Sequence, residues 1–234
     1  ANRYELILGL SAGLDSRLML AGSKDIKEKL MIYNARPIKY QRNIPDISIP
    51  EKICNKFNLS LQKCEIPEKA SNEFLKEFKQ HSWQPRDKFA AGIEIQKKLF
   101  GMSKVAVIGN IAEIAKLPYR KKINSTLPMS KILADAVKMK NKNFAIDAIQ
   151  YWLDDISNHC EYKIPDLFYW EHRVGRWLAT NQVEFDYGWK DILVPLNIRS
   201  LMSDLLSVDE TNRRKENHKL FLEMIKNLWP EILD

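Results

Sequence analysis

Residues 4–16 read Tyr-Glu-Leu-Ile-Leu-Gly-Leu-Ser-Ala-Gly-Leu-Asp-Ser, an apolar run that empties into a Ser-x-Gly-x-Asp-Ser loop. At average residue usage of roughly 7% each, four fixed positions in six arise by accident in about one chain in two hundred of this length. The physical reading is an anion cradle. A buried strand delivers a short Gly/Ser loop, and a helix starting near Asp15-Ser16-Arg17-Leu18-Met19-Leu20 turns its first unpaired N–H groups and positive dipole end toward whatever sits over the loop. A polyphosphate suits that position. Ser11 and Ser16 add hydroxyl donors, and Gly13 lets the backbone approach phosphate oxygens closely. Asp15 cannot donate to phosphate, so an acid at that place points to a Mg²⁺ ligand. The alternative is an ordinary polar turn, with Gly13 relieving a strained dihedral and Ser11 or Ser16 capping the helix. No Gly-x-x-x-x-Gly-Lys-Ser/Thr loop occurs in the chain.

At these residues the sequence resembles the PP-loop ATP pyrophosphatases, whose signature is Ser-Gly-Gly-x-Asp-Ser and whose members split ATP between the α and β phosphates. Ser11, Gly13, Asp15 and Ser16 match, and Ala12 stands where the family has a second glycine. The resemblance implies an adenine nucleotide alpha hydrolase-like (HUP) fold, ATP and Mg²⁺ as ligands, and a nucleotide site built from Leu10, Ser11, Ala12, Gly13, Leu14, Asp15 and Ser16. In that family the edge after the second strand holds adenine through backbone groups, which assigns Tyr33, Asn34 and Ala35 here.

The chain has 234 residues, 45% of them hydrophobic, enough to bury a sizeable core in one α/β domain with a helical elaboration. No run approaches the roughly 18 apolar residues that span a bilayer, and the first residues carry no signal-peptide pattern. The expectation is a cytoplasmic protein. The chain starts without methionine and close to a core strand, which leaves room for an upstream partner domain. Cys54, Cys64 and Cys160 form no C-x-x-C pair, and His81, His159, His172 and His218 lack ligand spacing, which argues against a disulfide framework or a zinc ribbon. The formal charge of +7 favours anionic partners, and ATP alone satisfies it. The lysines are spread along helix faces, and the densest basic cluster is Lys116, Arg120, Lys121 and Lys122.

Strand and helix signals alternate through the first half: strands over 29–35, 60–66 and 104–108, a helix over 48–57, and two helical stretches within 69–100. This predicts an open, mostly parallel sheet of about five strands with helices on both faces. Ser48-Ile49-Pro50-Glu51 reads as a capping box that starts the 48–57 helix. From about Pro128 the pattern is mostly helical, with stripes over 143–157 and 166–180 and one charged amphipathic helix over 210–228. The expected organisation is a nucleotide-binding core over 1–127 and a helical part over 128–234 packed on the same domain. Ligands of such sheets sit beyond the carboxyl ends of the strands, which places residues 11–16, 34–36 and Gly109 onward at one edge.

The stretch from Gly109 to Tyr119 is similar to the Gly-Glu-Gly-x-Asp-Glu-x-x-x-Gly-Tyr segment in the synthetase domain of asparagine synthetases and β-lactam synthetases. Gly109, Glu113 and Tyr119 align, while Asn110 and Ile114 replace the family's two glutamates. Residues 173–177, 191–201 and 215–231 resemble later parts of that domain. The resemblance implies Asp15 and Glu113 as Mg²⁺ ligands and Lys116 or Arg120 as the cation on a leaving pyrophosphate, and Arg173 or Arg176 reads as a clamp for a substrate carboxylate. Glu113 also reads as an ordinary helix-start glutamate, and Arg173 equally as a structural salt-bridge partner. The implied reaction is attack of a small-molecule or peptide carboxylate on the α-phosphorus of ATP, followed by displacement of AMP by an amine or by ammonia, the latter supplied by a separate glutaminase. The family's terminal Arg-x-Lys loop has no evident counterpart, with Lys190 and Lys215 the candidates for its cation. Two alternatives stay open: a PP-loop tRNA-modifying enzyme, for which the +7 charge leaves room, and a nucleotide-binding module that has lost its chemistry.

Overall fold

A computed structural model describes residues 3–38, 44–82, 87–101, 103–119, 126–156, 161–186, 191–214 and 216–233. The chain forms two compact units, and each is made of segments distant in sequence: 1–111, 178–198 and 219–234 in the first, 112–177 and 199–218 in the second.

The first unit is an open α/β layer. Strands β1 (Glu5–Gly9), β2 (Leu30–Pro37), β3 (Leu61–Ile66), β4 (Lys104–Val107) and β5 (Asp191–Leu193) form one all-parallel sheet in the order β3-β2-β1-β4-β5. Leu8 of the central strand pairs with Ile32 on one side and Val107 on the other. Strands covered on both faces must be apolar throughout, and Leu6, Ile7 and Leu8 are all buried. The sequence orders its strands outward from β1 in one direction, then restarts on the other side with β4. The crevice between the ends of β1 and β4 is therefore the topological switch point, where open sheets bind ligands.

Helices α1 (Leu14–Gly22), α2 (Pro45–Lys56), α3 (Asn72–His81) and α4 (Asp87–Phe100) connect the strands, and α4 ends at Gly101, whose φ of +68° closes the last turn. The α2 helix begins three residues before the expected capping box. Pro45 occupies its first turn with Asp46 beside it, and no side chain caps it, so Ser48 and Pro50 lie inside the helix. Proline at the first position has its φ already set and gives up an N–H that had no partner there, which outweighs the Ser48 signal.

The second unit is helical, with α5 (Met129–Ala136), α6 (Asn143–Ile156) and α7 (Ile164–Phe168) around a core of Leu133, Ala134, Ile149 and Phe168. A π-helical turn, Tyr169–Val174, follows α7 and leads into α8 (Gly175–Phe185), which continues into the first unit's sequence. The remaining helices are α9 (Arg199–Ser207), α10 (Glu210–Arg213) and α11 (Lys219–Leu228). The single helix expected over 210–228 is thus two. Asp209 caps α10 by accepting from the Thr211 N–H, the backbone turns at His218 with φ +50°, and α10 and α11 pack in different units. Among the described residues no helix is long and apolar enough to cross a membrane.

Candidate functional site

The loop after β1 keeps its shape through its own hydroxyls. The Ser11 N–H donates to Ser16 Oγ at 3.0 Å, the two serine oxygens lie 3.0 Å apart, and the Gly13 N–H donates to Ser11 Oγ at 3.2 Å. Gly13 is the N-cap of α1, in an extended conformation (φ −65°, ψ 143°) and with no side chain capping the helix. Serine capping, the alternative reading of this motif, is absent. The first backbone bond of the helix runs from the Arg17 N–H to the Gly13 carbonyl. The N–H groups of Leu14, Asp15 and Ser16 therefore precede the helical ladder and stand at its positive end. Gly13 has a negative φ and Ala12 is absent from the left-handed backbone positions, so the alanine costs the loop nothing in conformation. Arg17, one residue further, has a buried Nε with no partner among the described residues, and burial lowers its pKa.

Gly109, just past β4, approaches this helix start. A Cβ placed there would stand 3.1 Å from the Asp15 carbonyl oxygen and 3.3 Å from Asp15 Cβ. The sheet thus joins residues 11–16 and Gly109 at the switch point, as the sequence predicts.

A cleft of about 180 Å³ opens on the other flank of the loop, walled by Gly9, Leu10 and Ser11, by residues 33–36 of β2, and by Asp46 and Ile47 of α2. Alternate residues of a strand direct their N–H and C=O to opposite neighbours. The Tyr33 carbonyl faces β1, accepting from the Leu10 N–H at 2.8 Å, and the Ile38 N–H faces β3, donating to Ile66. By this alternation the Ala35 N–H and C=O face the side where β1 has ended, which is the cleft. Asn34 contributes otherwise: it is buried, and its Nδ2 donates to the Leu10 carbonyl and to the Asp46 carbonyl, both at 2.8 Å. The Tyr33 ring packs against Gly9 and Phe100, and burial raises its phenol pKa.

The second unit holds the other candidates. Glu113 lies on a 3₁₀ turn and is ion-paired with Lys116 at 3.1 Å, the lysine nearly buried and the carboxylate half-exposed. Ile114 is 1% exposed and part of the core. Behind this turn Arg213 is buried, donating to Asp166 at 2.8 Å and to the carbonyls of Ile114, Ala115 and Leu206. Burial still pushes the Asp166 carboxyl up, against the pull of that guanidinium. Tyr169 is pushed up to about 12 by burial and by the neighbouring Glu113 and Tyr119. Arg173 opposes that shift and lies 5.2 Å over the Trp177 ring, a cation–π contact within the helix.

Arg120, Lys121, Lys122, Lys190 and Lys215 lie outside the described residues. Among the described residues no group of three or more His, Cys, Asp or Glu side chains gathers. Asp15 belongs to the first unit and Glu113 to the second. Sequence reasoning missed Asp46, whose carboxylate accepts from the Ala12 N–H at 3.1 Å, and missed the Arg213 and Asp166 pair. The signal for Asp46 was the Pro45-Asp46 pair, which the capping-box reading passed over. Neither protein-family models nor curated proteins give a match to this chain.

Proposed function

We propose that this chain is a cytoplasmic, Mg-ATP-dependent ligase that adenylates a carboxylate and passes the acyl group to an amine or ammonia. The observation that carries the reading is the uncapped start of α1, where a self-braced serine loop sets the first turn of the helix at the switch point of a parallel sheet. Such a terminus suits the polyphosphate, and the adjoining cleft offers an Ala35 donor and acceptor matched to adenine's ring nitrogen and amino group. Arg17 adds a cation whose buried Nε has no hydrogen-bond partner among the described residues.

In this mechanism the Ser11 hydroxyl and the first-turn N–H groups hold the β and γ phosphates, and Ser16 braces the loop by donating to the Ser11 and Gly13 carbonyls. A carboxylate oxygen attacks the α-phosphorus, the bond from that phosphorus to the bridging oxygen breaks, and pyrophosphate leaves with the electron pair. The nitrogen nucleophile then displaces AMP from the acyl-adenylate. The protein supplies position and charge neutralisation. One first-unit acid fits Mg²⁺, which is bound through one or two carboxylates and the substrate's own phosphates. Asp15 would hold it, and the ion would neutralise charge on the departing pyrophosphate.

A second reading, a nucleotide-binding module without turnover, has its own support: Asn110 and the core residue Ile114 occupy the places of two family acids, and Glu113 is already paired with Lys116. Incubation with ATP, Mg²⁺ and pooled carboxylic acids separates the readings. AMP and pyrophosphate mark the ligase, nucleotide binding without products marks the module, and ADP with orthophosphate refutes cleavage between the α and β phosphates.

A further inference from the structure

The contact between α2 and the loop has no part in the phosphate cradle described above, and it is unusual in construction. Asp46 lies in the first turn of α2, and its carboxylate reaches across 34 residues of sequence to accept from the Ala12 N–H at 3.1 Å. Its own backbone carbonyl would normally accept from the residue four further on, which is Pro50 and has no N–H. The Asn34 amide fills that vacancy at 2.8 Å and with its other hydrogen holds the Leu10 carbonyl at 2.8 Å. Asn34, Asp46 and Pro50 therefore form one brace that ties the ends of β1 and β2, the start of α2 and the loop.

We propose that Asp46 is a positioning residue that latches the 11–16 loop in its anion-receiving form. This rests on the reading of the loop as a polyphosphate site and identifies which of its donors are given to the ligand. Ala12 is excluded, because its N–H is already occupied by an anion of the protein itself. Phosphate goes instead to the Ser11 hydroxyl and to the N–H groups at the start of α1, while the Ser16 hydroxyl, directed at the Ser11 and Gly13 carbonyls at 3.2 and 3.0 Å, stays within the loop. Without the latch, the Ala12 N–H loses its partner, and only the bonds between Ser11 and Ser16 hold the loop against α1.

The carboxylate is exposed, so its removal leaves the core untouched. The probes are inorganic pyrophosphate, adenosine and Mg-ATP, measured by calorimetry on Asp46→Ala and Asp46→Asn, with amide hydrogen exchange at Ala12 and Gly13. In Asp46→Ala, pyrophosphate and Mg-ATP affinity should fall by about tenfold or more, the loss expected when a hydrogen bond to a charged group is removed. Because Asp46 also walls the cleft read as the adenine site, adenosine affinity should fall too, but by clearly less than pyrophosphate affinity, a contrast that general loss of stability would not produce, and exchange at Ala12 should speed up. Asp46→Asn keeps an acceptor oxygen and should restore most of the affinity. Equal pyrophosphate affinity and equal Ala12 exchange in wild type and Asp46→Ala would overturn the proposal. A gain in affinity in Asp46→Asn would also overturn it, showing that the carboxylate repels the ligand. If the wild type binds no nucleotide and no pyrophosphate, the ATP reading fails by itself, and Ala12 exchange still decides whether Asp46 holds the loop.

Discussion

Gly109 has no room for a side chain. A methyl group there would press on the Asp15 carbonyl oxygen at 3.1 Å and the Asp15 carbonyl carbon at 3.3 Å, both of them backbone atoms. Because the clash falls on the helix start, Gly109→Ala should shift α1 by a few tenths of an ångström. We expect a loss of roughly 1–3 kcal/mol, as overpacking costs, and weaker pyrophosphate binding beyond what the lower melting temperature explains. Calorimetry at a temperature where both proteins are folded checks it, and unchanged affinity would separate Gly109 from the site. His172 makes a different prediction. It lies against Trp152 and Phe168, its Nε2 is buried without a partner among the described residues, and burial and Arg176 lower its pKa from 6.5. The unfolded chain then takes up a proton near pH 6.5 while the folded one does not. Stability is complete above that pH and falls as the pH drops from 6.5 toward the lower folded value. His172→Phe should flatten that limb of urea midpoints measured from pH 7.5 to 5. At this scale the loop was legible, because its donors sit within six consecutive residues; Asp46 was not, because its partner is 34 positions away.

The α2 helix shows how an element can be misread from local signals and still be determined by them. Ser48-Ile49-Pro50-Glu51 has the composition of a capping box, yet the helix starts at Pro45 and carries Pro50 inside. The tertiary partner explains why that is tolerated: Asn34 gives the Asp46 carbonyl the hydrogen bond that Pro50 cannot. An asparagine directly after the apolar run 30–33 of β2 was the hint in the sequence, and nothing local said which carbonyl it would meet. The brace predicts non-additivity. Asn34→Leu leaves two carbonyls short of a donor and should cost roughly 1–3 kcal/mol for each one that water cannot reach. Pro50→Ala supplies an N–H four residues after Asp46 and should matter most when Asn34 is gone. The double variant should therefore recover on the order of 1 kcal/mol relative to the sum of the single changes. Denaturant titration of the four proteins measures the coupling, and strict additivity would mean that Pro50 and Asn34 do not share that carbonyl.

The whole molecule is built by a chain that leaves and re-enters its sheet unit, at 111/112, 177/178, 198/199 and 218/219. The alternation of strands and helices to residue 107 made the sheet legible. The division at 127/128 followed composition, whereas the compact units follow packing: β5 and α11, both late in sequence, belong with β1. The α11 helix packs against α1, the helix that starts at the candidate site, and Trp229 just after it is 2% exposed, with its ring 4.4 Å from Phe57 of the α2 end and Lys24 over its face at 5.7 Å. Trp229→Ala should therefore cost about 3–5 kcal/mol, the penalty for emptying a buried aromatic position. That is a large share of the roughly 5–15 kcal/mol by which domains are stable. Since α8 runs unbroken across the 177/178 boundary, loss of the sheet unit should remove the support of residues 178–185 and fray the rest of that helix. Urea unfolding followed by tryptophan fluorescence and by far-ultraviolet circular dichroism should then give one coincident transition in both proteins, displaced to lower urea in Trp229→Ala. A variant whose helical signal survives in a second, undisplaced transition would show that residues 112–177 and 199–218 stand alone, and that α11 secures only the unit bearing the loop.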